Sequence, residues 1–337
     1  MKKQLIGTLG LLFSIAGVCN AQKNIHQAYY PVGDDPNIGW FSTMASAKKY
    51  ETILFEANPI VRYSVFNNIY KLGDRADNHF QAWYLSYRPQ LRMYTENSLP
   101  VRTPSYRILA GTQQVCRIHD ADLLTFSLES GHYSNGQDGG AFTDKYADGS
   151  PESEAVYKTI TPQTNLSSIL NRKSANFSTD LTEFIVNYRR NILAAGPNTD
   201  NIAIRTYSYK FGGTFYHDRF FGVFDAGGYS DEDIKIYGKV RLLAGFQYVE
   251  KVKWGRWSFT GNLERIFNAH QSVEPWRLET IATAYPIRAT PDLGFFVTFI
   301  AGHDNYNYRF VDSGHQFGLG ISWNLFPPIK LKNVFGQ

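Results

Sequence analysis

The chain has 337 residues, with 34 Lys plus Arg against 30 Asp plus Glu and only two cysteines. A formal net charge of +4 gives no basis for a nucleic-acid partner, and two cysteines supply neither a disulfide framework nor a cysteine-based metal site. The 22 Tyr and 24 Phe fit a β-rich chain, either a soluble sandwich or a membrane barrel.

Lys2 and Lys3 precede an apolar run from Leu5 to Val18 that ends at Cys19-Asn20-Ala21. That basic, apolar, small-residue order predicts a secretory signal peptide over residues 1–21, cut after Ala21. Cys19 would suit a lipoprotein site, but Val18 before it is bulkier than such a site prefers. Removing the leader takes two lysines and no acids, so the charge falls from +4 to +2 (4 − 2), and Cys116 is the one cysteine left. No later stretch approaches the ~18 consecutive apolar residues of a membrane helix. Residues 22–51 have no clear period and read as a tail or a plug.

From there on, segments alternate apolar and polar with period two, the pattern of strands with unlike faces. Strands are predicted near 52–66, 79–88, 90–98, 104–116, 121–134, 177–190, 202–215, 236–249, 255–266, 275–286, 292–302 and 314–326. Residues 219–228 read as a further strand or as loop, and 327–337 as a C-terminal tail. The last strand is the clearest. Phe317, Leu319, Ile321, Trp323 and Leu325 share one face, and Gln316, Gly318, Gly320, Ser322 and Asn324 the other. A soluble sandwich would carry mostly charged and Thr-type residues on its polar face. Here that face is Gly and neutral polar, and Trp323, Tyr248 and Trp257 lie near strand ends, as in a membrane barrel. The expected fold is all-β: a transmembrane antiparallel β-barrel of about twelve strands over residues 52–326, in a bacterial outer membrane. The longest irregular stretch, 138–176, reads as a large surface loop.

One strand end carries candidate chemistry. In 121–134, Leu124, Phe126 and Leu128 form the apolar face, and continuing the alternation puts Ser130, His132 and Ser134 on that lipid-facing side. Residues two apart on a strand project the same way with Cα atoms ~6.5–7 Å apart. His132 could therefore act as general base for the Ser134 hydroxyl. The plainer reading is an interfacial His and Ser beside Asn135-Gly136, a common hairpin turn signal. Unpaired polar groups facing lipid are expensive, however, and tend to be functional.

The following strand begins Asn176-Phe177-Ser178-Thr179-Asp180. Phe184, Val186 and Tyr188 define its lipid-facing side, which Asp180 and Asn176 share. An antiparallel neighbour starting at the same rim brings Asp180 beside His132, where it could fix the imidazole as a third triad member does. The competing reading makes Asp180 a solvated rim charge.

His132, Ser134, Asn135 and Gly136 match in full a His-x-Ser-Asn-Gly motif, and with it the chain resembles the outer-membrane phospholipase A family. Those proteins are twelve-stranded barrels with a Ser-His-Asn site on the outer face. The resemblance extends over roughly 52–326. Pro100-Val101-Arg102 through Tyr106 looks like the segment entering the strand before the catalytic one, and Gly302 through Tyr306, Tyr308 and Phe310 like the final loop.

The resemblance implies a phospholipase acting on membrane phospholipids, with Ser134 as nucleophile, His132 as base and the backbone N–H of Gly136 at the oxyanion. Asp180 stands where the family has Asn, and Asn176 is the alternative third residue if the strand slips by four. Calcium is implied as well. Its backbone carbonyl ligand falls at Gln137, and Asp138 and Asp144 add carboxylates nearby. A ligand from a homodimer partner falls at Leu99, which has no side-chain oxygen, with Ser98 as a substitute. The loop 138–176 is much longer than the family's.

Three alternatives stand beside this reading. Lipid A 3-O-deacylases share His-x-Ser-Asn on a barrel's outer face, but have a Glu third residue and shorter chains. A passive porin or small-molecule transporter needs no site at all. A non-catalytic barrel could retain the motif.

Overall fold

The computed structural model describes residues 32, 37–40, 53–69, 77–95, 101–119, 121–194, 203–217, 219–220, 224–225, 231–287 and 293–323. The expected signal peptide, most of 22–51, Ser98 and Leu99, and the tail 327–337 lie outside these residues. In chain order the strands are β1 (Asn37–Trp40), β2 (Ile53–Asn58), β3 (Val61–Asn67), β4 (His79–Tyr94), β5 (Ser105–Arg117) and β6 (Leu123–Ser134). They continue with β7 (Ser178–Leu193), β8 (Ala203–His217), β9 (Arg219–Phe220), β10 (Phe224–Asp225), β11 (Val240–Val252) and β12 (Gly255–Phe267). The last three are β13 (Trp276–Tyr285), β14 (Leu293–His303) and β15 (Ser313–Trp323). No helix among the described residues is long and apolar enough to cross a membrane.

All pairings in the main sheet are antiparallel, and neighbours in space are mostly neighbours in sequence. β2 pairs with β1 through Asn58↔Asn37 and with β4 through Ala57↔Leu91, while β1 pairs with β15. The ladder can therefore be followed from β4 through β5 to β15, on to β1 and β2, and back to β4. β3 continues β2 along β4 after a break at Asn58-Pro59-Ile60. Counted as one interrupted strand, β2 and β3 reduce the thirteen-stranded sheet to twelve (13 − 1).

The expected strand number is right through two compensating differences. Residues 79–88 and 90–98 form the single strand β4, with Pro89 inside it opposite Tyr106. Pro89 lies where pairing toward β2 and β3 is interrupted, between Ala57↔Leu91 and Val61↔Tyr87. A residue without an N–H fits such a gap. The strand gained is β1, four residues too short to show a period. The strand expected from 236 begins at Val240, because Asp231–Tyr237 is helical.

Alternation places the two faces as expected. Leu85, Ile108, Phe126, Leu128, Phe184, Phe211, Leu242, Leu263, Leu278, Val297 and Leu319 form an exposed apolar belt around the barrel. Inside, Ser86, Gln113, Thr125, Ser127, Asn187, Ser208, Ser258 and Gln316 are buried. Charges there are paired across the lumen. Glu129 accepts from the Tyr84 hydroxyl at 2.8 Å and bonds Arg88, and Arg92 bridges Glu56 and Asp304. Such pairing offsets the cost of burying ions.

The two ends differ. At one, connections run from two residues, Lys253-Trp254 between β11 and β12, to the eleven of 68–78 between β3 and β4. The other carries 135–177, 268–275 and 304–312. The longest loop, 135–177, at one rim and shorter connections at the other fit the outer-membrane pattern, with the long loops outside.

The long loop 138–176 is a folded cap. It contains α1 (Pro151–Lys158), N-capped by Ser150, which accepts from the Ser153 N–H at 3.2 Å, and the short α2 (Leu166–Ile169). With α3 (Asp231–Tyr237) and a 3-10 turn over Asn307–Val311 it packs one apolar cluster, including Phe142, Leu166, Phe177, Tyr237, Tyr308 and Phe310. Lumen-facing Leu109, Tyr133, Leu181 and Tyr216 from the barrel wall belong to the same cluster. The cap thus sits directly behind the ends of β6, β7 and β8.

Candidate active site

β6 leaves the barrel at Ser134, and β7 enters opposite it at Ser178. The register pairs His132 with Asp180, so two strands present these side chains side by side on the outer face. His132 Nδ1 lies 2.8 Å from Asp180 Oδ1. With a carboxylate accepting there, Nδ1 carries the proton and Nε2 is left as the acceptor. The His132 side chain is 28% exposed, whereas that of Asp180 is 0% exposed. Asp180 is thus no solvated rim charge. Ser134, two residues beyond His132 on the same face, is half-buried. Among the described residues no hydrogen bond joins its hydroxyl to His132; such bonds often tighten only when substrate is bound.

What holds this register is a residue that sequence reasoning treated only as part of a motif. Asn135 is buried, and its backbone N–H donates to Phe177 O at 2.9 Å. Its side-chain Oδ1 accepts from the Phe177 N–H at 2.9 Å and the Gln137 N–H at 3.2 Å, and its Nδ2 donates to Ala175 O at 2.8 Å. The amide therefore stitches the end of β6 to the start of β7 one residue past the paired serines. Asn135-Gly136 is no hairpin turn here, because the 138–176 cap intervenes. The usable signal was the motif's Asn itself, directly after Ser134.

Two further contacts fix the wall from inside. Gly131, between Ser130 and His132, lies so close to β5 that a Cβ would meet Ile108 O at 2.0 Å. Tyr133 points inward, packs edge-on against Phe177 at 4.9 Å, and accepts from the Asn307 N–H at 2.9 Å.

The other expected site residues lie nearby in part. Gly136 is exposed, with φ +62, and its N–H has no hydrogen-bond partner among the described residues. Only glycine adopts such a φ freely. Asn176 does not face His132; its amide donates to Asp148 Oδ2 at 2.7 Å.

The expected calcium donors do not form a cage. The Gln137 side chain turns back toward Asn135 O at 3.5 Å, and Asp138 is exposed. Among the described residues no three His, Cys, Asp or Glu side chains cluster as a metal site. Calcium takes 6–8 oxygen ligands, and the Gln137 carbonyl and Asp138 carboxylate do not reach that number unaided.

A polar band continues along the outer wall. Ser130 Oγ donates to Leu181 O at 3.1 Å and lies 2.9 Å from Thr182 Oγ1, which in turn lies 3.0 Å from His217 Nε2. Sequence reasoning missed His217 because it lies just beyond the strand expected over 202–215.

No protein-family model matches the chain, and no curated protein matches it significantly. Among solved structures, it is similar to the calcium-bound outer membrane phospholipase dimer from Salmonella typhi, at 11% identity and a TM-score of 0.49, covering 87% of this chain and 92% of that one. It is likewise similar to outer membrane phospholipase A from Escherichia coli, at 12% identity and a TM-score of 0.49, covering 88% and 98%. CdiB from Acinetobacter baumannii matches at 10% identity and a TM-score of 0.33, covering 80% and 42%. Likenesses of this size transfer no residue roles.

Proposed function

We propose that the chain is an outer-membrane esterase that hydrolyses acyl ester bonds of phospholipids in the leaflet around it. One observation carries the reading: the 2.8 Å contact between His132 Nδ1 and Asp180 Oδ1 on the lipid-facing wall, with Ser134 beside it. A dyad there meets the ester region of a lipid by lateral diffusion. Its position at the rim with the longest loop supports a substrate in the outer leaflet.

His132 Nε2 takes the Ser134 proton as Oγ attacks the ester carbonyl. Asp180 holds the Nδ1–H and stabilises the imidazolium that forms. The Gly136 N–H faces the developing oxyanion. His132 then returns its proton to the leaving lysophospholipid alcohol, and water, activated by the same imidazole, releases the fatty acid and frees Ser134. No step needs calcium or a second subunit. Both are implied by the family resemblance and enter as variables of the assay.

The filled lumen argues against a passive pore. Among the described residues, paired charges span it, the cap covers one end, and a cavity lined by Arg88, Glu183, Lys210, Arg241, Glu264 and Glu279 holds about 170 Å³. The acidic third residue keeps lipid A acyl esters as a second substrate class. The test is purified barrel in mixed phospholipid micelles, with and without calcium, and separately with lipid A. Wild type is expected to release fatty acid and lysophospholipid, and Ser134→Ala to release neither. Equal hydrolysis by both proteins would overturn the assignment.

A further inference from the structure

Asp180 has a histidine on each side. The β6–β7 register pairs it with His132, and the β7–β8 register pairs it with His217. His132 occupies Oδ1, but Oδ2 is buried without a hydrogen-bond partner. His217 bonds Thr182 through Nε2, and its Nδ1 is likewise buried without a partner. Directly paired residues have Cβ atoms about 4.5–5.5 Å apart, so a lone acceptor and a lone ring nitrogen are neighbours. Each buried polar atom left unsatisfied is costly, and a single hydrogen bond satisfies both.

The bond requires the Nδ1–H tautomer, in which the single Thr182 proton goes to His217 Nε2 and not to Ser130 Oγ. When the Thr182 hydroxyl donates to Nε2, the proton of a neutral His217 is on Nδ1. Phe215 stacks on the His217 ring at 5.9 Å between centroids and 25° between planes, which limits how far it can turn.

We propose that His217 is a positioning residue for the esterase site. Once lipid covers the wall, it donates Nδ1–H to Asp180 Oδ2. This fixes the carboxylate plane so that Oδ1 stays on His132. The catalytic wall then spans three strands, with Asp180 held from both sides. No covalent change occurs at His217, and it does not touch the substrate.

This inference rests on the esterase reading, and the variants separate the two. His217→Asn places an amide donor near ring Nδ1. His217→Gln reaches the position of Nε2 and keeps the Thr182 contact, but has no donor near Nδ1. His217→Phe removes both. In phospholipid micelles, His217→Phe and His217→Gln are expected to lower kcat about tenfold to a hundredfold, the range for an outer-shell orienting partner, with KM within about twofold. His217→Asn should recover most of the rate. In an Asp180→Asn background, His217→Gln should cause no further loss.

Should His217→Phe fail to fold, the contrast between Gln and Asn carries the test. Wild-type kcat in His217→Gln, or the same loss in Gln and Asn, overturns the positioning role. So does an undiminished effect in the Asp180→Asn background. Those outcomes leave the esterase reading standing as long as Ser134→Ala is inactive. An active Ser134→Ala overturns both.

Discussion

Among the described residues, two histidine–carboxylate pairs of nearly equal geometry stand in opposite settings. His132 meets Asp180 at 2.8 Å on the outside of the wall, and His303 meets Glu264 at 2.9 Å inside the lumen. His303 is 0% exposed, and its second ring nitrogen is buried without a partner. Arg241 approaches Glu264 at 3.4 Å, and Arg277 donates to His303 O at 3.0 Å. The inner pair is a structural crosslink in a field of cations. The outer pair lies on the apolar outer face, two residues from Ser134, with the His132 side chain 28% exposed. A short His–carboxylate contact is thus weak evidence for catalysis, and what the second nitrogen faces decides its meaning.

The largest effects should separate these pairs. Ser134→Ala and His132→Ala are each expected to lower phospholipid hydrolysis by at least ~10⁴-fold, the usual scale for removing a member of such a triad. His303→Ala should leave kcat within a few-fold of wild type while lowering the unfolding temperature of the barrel. Comparable losses of kcat at His132 and His303 would erase the distinction.

Next is the orienting residue. Asp180→Ala should lower kcat by roughly 10²–10⁴-fold, whereas Asn176→Ala, which loses only its bond to Asp148, should stay near wild type. The reverse pattern would move the third role to Asn176. Smaller is the effect of the stitch at Asn135. Asn135→Ala strips partners from the Phe177 and Gln137 N–H groups and Ala175 O, at about 1–3 kcal/mol for each group that stays buried and unsatisfied. Limited proteolysis should then cut 138–176 faster, and hydrolysis should fall with it. Unchanged protection would show that the cap alone holds the register.

The smallest effect concerns the loop after β14. Burial alone would raise the Asp304 carboxyl, but Arg92, 2.6 Å away, brings it below the ordinary carboxylate range. A folded-state pKa held below the unfolded one stabilises above that range, and the contribution is lost as pH falls through it, below about pH 4. Arg92→Met should flatten the acid limb of a stability–pH curve. An unaltered limb would remove Arg92 as its cause.

Much of the outer face was legible because period two writes itself into sequence. Leu124, Phe126 and Leu128 aimed His132 and Ser134 outward, and Phe184 and Val186 did the same for Asp180. The register that joins them was expected to set Asp180 beside His132, with a slip of four to Asn176 left open, and the structure has the former. That register depends on Asn135, whose bonds span the whole 138–176 cap, and local alternation carries no information across such a distance. Pro89 misled because a proline normally ends a paired strand, whereas here the neighbouring ladder is itself broken. β1 was invisible because four residues cannot establish a period. His217 was hidden by strand length, since β8 runs two residues past the expected end, and the second of them pairs with Asp180.

The most direct test of the central claim is the mass of the intact barrel after exposure to a long-chain fluorophosphonate in micelles. A lipid-facing Ser134 activated by His132 predicts one adduct, mapped to Ser134, absent in Ser134→Ala and much slower in His132→Ala. An unlabelled wild type, or an adduct that persists in Ser134→Ala, would contradict the account.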